Sequence, residues 1–231
     1  MIEAIVFDKD GTLFDFRQSW GGWSATLLQS LAISDAHFQD MAAAIGYFPS
    51  TQDFAPDSPV IAATAYEIAA ALSPYLPEYS IPKLVNRLNE MAQVAVMKEA
   101  VPLAETLSAL RQRGLKLAVA TNDFEAPARA HLAAHDVLGQ FDFVAGCDSG
   151  HGAKPAPGML LAFVRQFGLT PSRVVMVGDS RHDLDAGRAA GMQTVAVLTG
   201  IAGTQELAPY ADIVLPNIGG LAAWLDGQIS A

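Results

Sequence analysis

Asp8 and Asp10 stand two residues apart in the run Asp8-Lys9-Asp10-Gly11-Thr12, directly behind the short apolar segment 2–7. In extended backbone, side chains two apart share a face, so two carboxylates here crowd one small volume. Like charges that close either share a proton or bind a cation. Gly11 permits a sharp turn and a close approach to backbone, and Thr12 adds a hydroxyl and an amide. An Asp-Gly pair is also common in surface turns, but a polar hairpin flank would not be preceded by buried-strand material.

Three further groups have the same setting. Thr121-Asn122 follows the apolar run 115–120 and can hydrogen-bond an anion, together with the amides of a following helix; an ordinary helix cap explains it equally well. Lys154 precedes Pro155-Ala156-Pro157 and can oppose phosphate charge, although most lysines are solvated. Gly178-Asp179-Ser180-Arg181-His182-Asp183 follows the strand-like 173–177. If a helix starts near Ser180, Asp179 and Asp183 face one pocket, and carboxylate oxygens are what magnesium prefers.

The elements that must carry these groups alternate. Segments 2–7, 115–120, 141–146, 173–177, 194–198 and 212–215 read as strands. Segments 102–113, 157–167 and 183–190 read as helices, the last two closed by Gly168 and Gly191. Such alternation predicts βαβ units and a parallel sheet covered on both faces. Each polar group then lies beyond the carboxyl end of a strand, where open α/β sheets bind ligands. Residues 15–99 break the rhythm: 24–31, 36–45, 60–72 and 82–97 read as helices, 50–59 as a loop, and no strand is evident. The chain therefore divides into an α/β core, 1–14 and 100–231, and an inserted helical cap, 15–99.

Composition bounds the rest. The net charge is -10 over 231 residues, with nine acids and four bases in 15–99, and no basic run offers a nucleic-acid surface. One cysteine, Cys147, allows no internal disulfide and no thiol-rich metal site. No segment reads as a signal peptide or a membrane span, so a cytoplasmic protein without membrane association is expected.

Taken together, the four groups, in this order, resemble the signature of the haloacid dehalogenase superfamily in its phosphatase branch. They match at Asp8/Asp10, Thr121, Lys154 and Asp179/Asp183, over a three-layer Rossmann-like core with a helical cap of the family's first type. Lys154-Pro155-Ala156-Pro157, Gly178-Asp179-Ser180 and Ala189-Ala190-Gly191 are similar to phosphoglycolate-phosphatase-like members. The resemblance implies a phosphatase for a small phosphorylated metabolite, acting as monomer or homodimer. It implies Asp8 as nucleophile and Asp10 as general acid and base. It further implies Mg2+ held by Asp8, the Asp10 backbone carbonyl, Asp179 and Asp183, the last through water. Thr121 and Lys154 would hold the phosphoryl oxygens, helped by the amides of Gly11 and Asn122. The dehalogenase and phosphonate-cleaving branches replace the second aspartate, which is intact here. Two other readings are a phosphosugar mutase of the same family and a non-catalytic phospholigand-binding protein.

Lys9 departs from the family, which more often has an apolar residue there. Alternation predicts that it points away from Asp8 and Asp10 and stays outside the chemistry. The cap bases are Arg17, Lys83, Arg87 and Lys98, and the stretch 47–54 holds none. A neutral, polar or amine-bearing leaving group is expected, met by Tyr47, Phe48 and Asp53, with Arg17 available for one anion contact. The aromatics there also suit a cap interior, as Trp20 and Trp23 suit packing. His131 and His135 read as solvated or capping residues.

Overall fold

The computed structural model describes residues 1–229. In chain order the elements are β1 (Ala4–Phe7), α1 (Phe16–Leu31), α2 (Asp35–Ala44), β2 (Tyr47–Phe48), β3 (Asp53–Phe54), α3 (Pro59–Ala62), α4 (Ala65–Leu72) and α5 (Ile81–Gln93). There follow α6 (Leu103–Gln112), β4 (Lys116–Ala120), α7 (Glu125–Ala134), β5 (Phe143–Ala145), α8 (Gly158–Phe167), β6 (Val174–Gly178), α9 (Arg181–Ala189), β7 (Gln193–Val197), α10 (Thr204–Leu207), β8 (Ile213–Leu215) and α11 (Leu221–Ile229). Short 3-10 turns complete the chain.

Six strands form one sheet in the order β5-β4-β1-β6-β7-β8, and every neighbouring pair is parallel. The chain winds outward from β1 through β4 and β5, then crosses back to β6 and winds the other way. The direction reverses around β1, and that switch opens a crevice at the carboxyl edge. Strand alternation explains the two apolar layers. Ile5 and Phe7 of β1 join Leu103, Leu107, Val175 and Val177 on one face. Ala4 and Val6 join Met159, Leu160, Phe163 and Met176 on the other. Fully burying a Leu, Ile or Phe side chain contributes about 1.5–3 kcal/mol each, so a one-residue slip of β1 would forfeit both layers.

Of the six helices between β1 and β4, the first five, α1–α5, form a region of their own, and α1, α3, α4 and α5 of it stand over the carboxyl edge. The segments that lead in and out are hydrogen-bonded to each other: the Asp15 amide donates to the Lys98 carbonyl at 2.8 Å, and the Ala100 amide to the Leu13 carbonyl at 3.0 Å. The interior of this helical region continues into the sheet layer through Phe14, Phe16 and Met97.

Several boundaries depart from the sequence expectations. α1 begins eight residues before position 24, because the Asp15 side chain caps it by accepting from the Gln18 amide at 2.9 Å. Burial of Phe16 and Trp20 outweighs the poor helix propensity of Gly21-Gly22. The expected helix 60–72 is two, α3 and α4, each with its own cap at Ser58 or Thr64. The helical region also contains a two-residue antiparallel hairpin, β2–β3, in a stretch where no strand was evident. It is too short to give an alternation signal. α7 is alanine-rich and carries Pro127 in its first turn, so its apolar pattern is weak.

Candidate active site

β1 ends at Phe7, and Asp8 is the first residue beyond it. The chain then turns at once: the Lys9 carbonyl accepts from the amides of Leu13 and Phe14 at 3.0 and 3.1 Å, and Gly11 takes φ +82°. A side chain on Gly11 or on Gly200 would collide with the Asp179 carboxylate, so these two glycines form a cradle around it. Asp179 follows β6, and Ser180 caps α9. The Asp183 carboxylate reaches back to the Ser180 amide and hydroxyl at 3.0 and 2.7 Å, closing a capping box. Those bonds hold Asp183 toward Asp8.

Oxygens of Asp8, Asp179 and Asp183 lie within 4.8 Å of one another, all buried. Lys154 is 5% exposed and stands between two of them, with Nζ 2.5 Å from Asp8 Oδ1 and 2.7 Å from Asp183 Oδ1. Its backbone is clasped by Asn122, whose side chain accepts from the Lys154 amide at 2.8 Å and donates to its carbonyl at 2.9 Å. Asn122 Nδ2 also donates to the Ala62 carbonyl of α3, tying the helical cover to the sheet edge. Thr121 is buried beside it, its hydroxyl accepting from the Asp123 amide.

Electrostatics make this a site that wants a cation. Burial pushes the Asp8 carboxyl up to about 7, against the pull of Lys154 and with a push from Asp183 and Asp10. Burial, Asp8 and Asp183 likewise raise Asp179 well above the carboxylate range. Burial alone would lower Lys154, but Asp183 and Asp8 outweigh it, and the lysine stays charged. Three carboxylates against one ammonium leave two negative charges when all are ionised. Asp179 Oδ2 is buried without a hydrogen-bond partner. An orphaned buried oxygen, a glycine cradle and an all-oxygen donor set fit a hard divalent cation.

Asp10 lies at the rim of this group, and Lys9 corrects the sequence expectation. Its side chain is fully buried and does not point away: Nζ is 2.7 Å from Asp10 Oδ1. The same nitrogen is 3.1 Å from Asp123 Oδ2 and donates to His131 Nδ1 at 3.1 Å. The alternation rule fails because the backbone leaves the extended region at the turn. Trp20 donates its indole N–H to the same Asp10 oxygen at 2.9 Å, and its ring centroid lies 5.3 Å from Lys9 Nζ. Asp10 is therefore held from below by the core and from above by α1. His131 is buried, not solvated; burial and then Lys9 push it down to about 4, and its Nε2–H donates to the Ala92 carbonyl. A neutral imidazole accepting from Lys9 is the consistent tautomer. His135 pairs with Glu99 at 3.1 Å.

A cavity of about 680 Å³, mouth included, lies over these residues. Asp8, Asp10, Thr121, Asn122, Asp123, Lys154 and Asp183 form its floor. Trp20 and Trp23 of α1, Ile61 of α3, Ile68 of α4, and Leu88 and Asn89 of α5 line its roof. The four cap residues singled out from sequence lie elsewhere. Tyr47 is buried in the helical region, its hydroxyl on the Gly21 carbonyl at 2.7 Å and its ring 5.3 Å from Phe54. Phe48 is half exposed, and Arg17 is paired with Asp53 at 2.9 Å and with the Gly200 carbonyl. None of the four lines the cavity. The residues sequence reasoning missed are Lys9, Asp123 and His131, and the roof. A lysine between two aspartates after an apolar strand was the one available signal.

This architecture defines a doubly wound α/β protein with an acidic, lysine-containing cavity at its topological switch, roofed by helices. Residues 2–191 match the family model of haloacid dehalogenase-like hydrolases, and the chain belongs to that family. A protein named "Probable phosphatase IndB" from Dickeya dadantii is 31% identical over 212 residues, 90% of this chain and 86% of that one. A phosphoglycolate phosphatase from Rhodospirillum rubrum is 30% identical, covering 97% of this chain and 91% of its own. The solved structure of β-phosphoglucomutase from Clostridium difficile shares the fold, with TM-score 0.69 and 16% identity over 100% of this chain and 98% of that one. No helix among the described residues is long and apolar enough to cross a membrane.

Proposed function

We propose that the chain is a magnesium-dependent phosphatase that hydrolyses a small phosphomonoester through an aspartyl-phosphate on Asp8. On this reading residues 1–14 and 100–231 form the catalytic core, and 15–99 form a cap that encloses the leaving group. The observation that carries it is the buried group of Asp8, Asp179 and Asp183 around Lys154, facing a cavity with Asp10 at its rim. The names of the curated relatives support the same reaction class.

The Asp8 carboxylate attacks phosphorus, and the bond to the leaving oxygen breaks. Asp10, held at one oxygen by Lys9 and Trp20, gives its proton to that oxygen. Water then attacks the phosphorus of the aspartyl-phosphate; Asp10 takes the water's proton, and Asp8 leaves as carboxylate with release of phosphate. Lys154 and Thr121, with the amides of Gly11 and Asn122, hold the equatorial oxygens and the charge that builds on them. Asp8, Asp179 and Asp183, with the Asp10 carbonyl, would hold Mg2+, which supplies charge neutralisation between nucleophile and phosphate.

The mutase reading is the weaker one. A sugar bisphosphate needs a second cationic subsite, and the roof has none. The substrate is a phosphorylated metabolite of the cytoplasm, where a chain with a single cysteine is at ease. The test is turnover of p-nitrophenyl phosphate with magnesium and with EDTA. Turnover is expected only with magnesium, and Asp8→Asn should lower kcat by at least ~10^4-fold. Full activity in Asp8→Asn would end the reading.

A further inference from the structure

The roof of the cavity carries information about the leaving group, and it does so by what it is made of. Trp20, Trp23, Ile61, Ile68 and Leu88 present carbon to the space above Asp8, and Asn89 adds one amide. The indole nitrogen of Trp23 is buried and has no partner. The four bases of the cap stand elsewhere. Arg17 is bound to Asp53 and the Gly200 carbonyl, and Lys83, Arg87 and Lys98 are exposed and outside the lining. On the floor, Lys154 is committed to Asp8 and Asp183, and Lys9 to Asp10 and Asp123. His182, exposed on α9, is the remaining basic residue of the lining.

A leaving group bearing a carboxylate or a second phosphate would meet a mostly apolar roof and the carboxylates of Asp10 and Asp123, with only the exposed His182 as a basic side chain in the lining. Burying such a charge unpaired costs at least ~100-fold in binding. Each methylene buried against the same walls gains about 3-fold. The balance of the two decides the class. We propose, resting on the phosphatase reading, that the substrate is the phosphomonoester of an uncharged, largely apolar alcohol. Its hydrocarbon part packs against Trp20, Trp23, Ile61, Ile68 and Leu88. One neutral polar group of the alcohol meets the Asn89 amide and the free Trp23 N–H, which between them offer both a donor and an acceptor. This sets the chain apart in specificity from relatives named for phosphoglycolate, while the chemistry at Asp8 is shared.

The test is kcat/KM of the full chain with magnesium on n-alkyl phosphates of increasing length, 2-phosphoglycolate and glucose bisphosphate. The alkyl series is expected to climb about 3-fold per methylene until the cavity is full, with the anionic esters at least ~30-fold below its best member. Asn89→Lys, which puts a cation in the roof, should raise the ratio of phosphoglycolate to alkyl phosphate turnover by about 10-fold. That ratio, taken within one preparation, is insensitive to the fraction folded. A flat alkyl series, or phosphoglycolate or the bisphosphate preferred by the unmodified chain, would overturn the inference and leave the phosphatase reading standing. No turnover of any ester, p-nitrophenyl phosphate included, would overturn both.

Discussion

On one side of the cavity Asp8, Lys154 and Asp183 form a buried charged network, with Asp179 behind it and the partly exposed Asp10 at its rim; on the other side the same cavity is walled by Trp20, Trp23, Ile61, Ile68 and Leu88. The floor comes from loops at the carboxyl ends of three central strands, β1, β4 and β6, and from the segment before α8. The roof comes from four helices whose apolar faces would otherwise need burial in the cap itself. The floor's charges are costly to bury and persist only because each is matched by another or awaits a cation. The roof carries no such cost, so a substitution there leaves the floor's charge balance untouched. On the proposed function, reaction type and substrate choice would then be set by separate parts of the chain with different physics.

The floor breaks most sharply at its cation. Lys154→Met leaves Asp8 and Asp183 buried without their ammonium, and kcat should fall about 10^3-fold with p-nitrophenyl phosphate, by steady-state assay. Lys9→Met tests a subtler part. With Asp10 no longer held from below, kcat/KM should fall about 10- to 100-fold on an alkyl phosphate, whose leaving oxygen needs Asp10's proton. The loss on p-nitrophenyl phosphate, a better leaving group, should be smaller. Because Asp123 would lose its ion-pair partner, Lys9→Met/Asp123→Asn serves as the folded control. Equal losses on both esters would mean that Lys9 only stabilises the fold.

Magnesium sharpens the comparison through pH. Asp8 and Asp179 are raised in the metal-free fold, Asp8 to about 7, so folded protein binds protons there that the unfolded chain has released. The metal-free fold therefore loses stability as pH rises from about 4 through about 7. The cation needs the deprotonated carboxylates, so its apparent affinity should tighten about 10-fold between about pH 6 and about pH 8, by calorimetric titration. The roof gives the smallest effect. Ile68→Ala should lower kcat/KM on a long alkyl phosphate about 5-fold and leave a methyl ester nearly unchanged.

Most of the floor was legible because Asp8, Asp10, Thr121, Asn122 and Asp179 follow a strand within a few residues; Lys154 stands farther from β5, and its signal was the proline-flanked run before α8. Alternation fails at Lys9 because it holds only while the chain stays extended, and the turn at Gly11 begins one residue after Asp8. The roof was not legible, since Ile61, Ile68 and Leu88 have the spacing of ordinary helix core and nothing local says which face meets Asp8. Tyr47 and Phe48 drew attention as aromatics among polar residues, yet Tyr47 packs inside the helical region and Phe48 faces outward. Asp123 and His131 act at long range: the loop after β4 carries Asp123 and α7 carries His131, and both meet Lys9 only in the folded chain.

The central claim is that Asp8 carries the phosphoryl group. Acid-quenching the enzyme during turnover of a radiolabelled phosphomonoester, followed by peptide mapping, tests it most directly. A hydroxylamine-labile phosphoryl group is expected on the peptide that contains Asp8, absent from Asp8→Asn. A label on another residue such as His182, or steady turnover with Asp8 replaced, would contradict it.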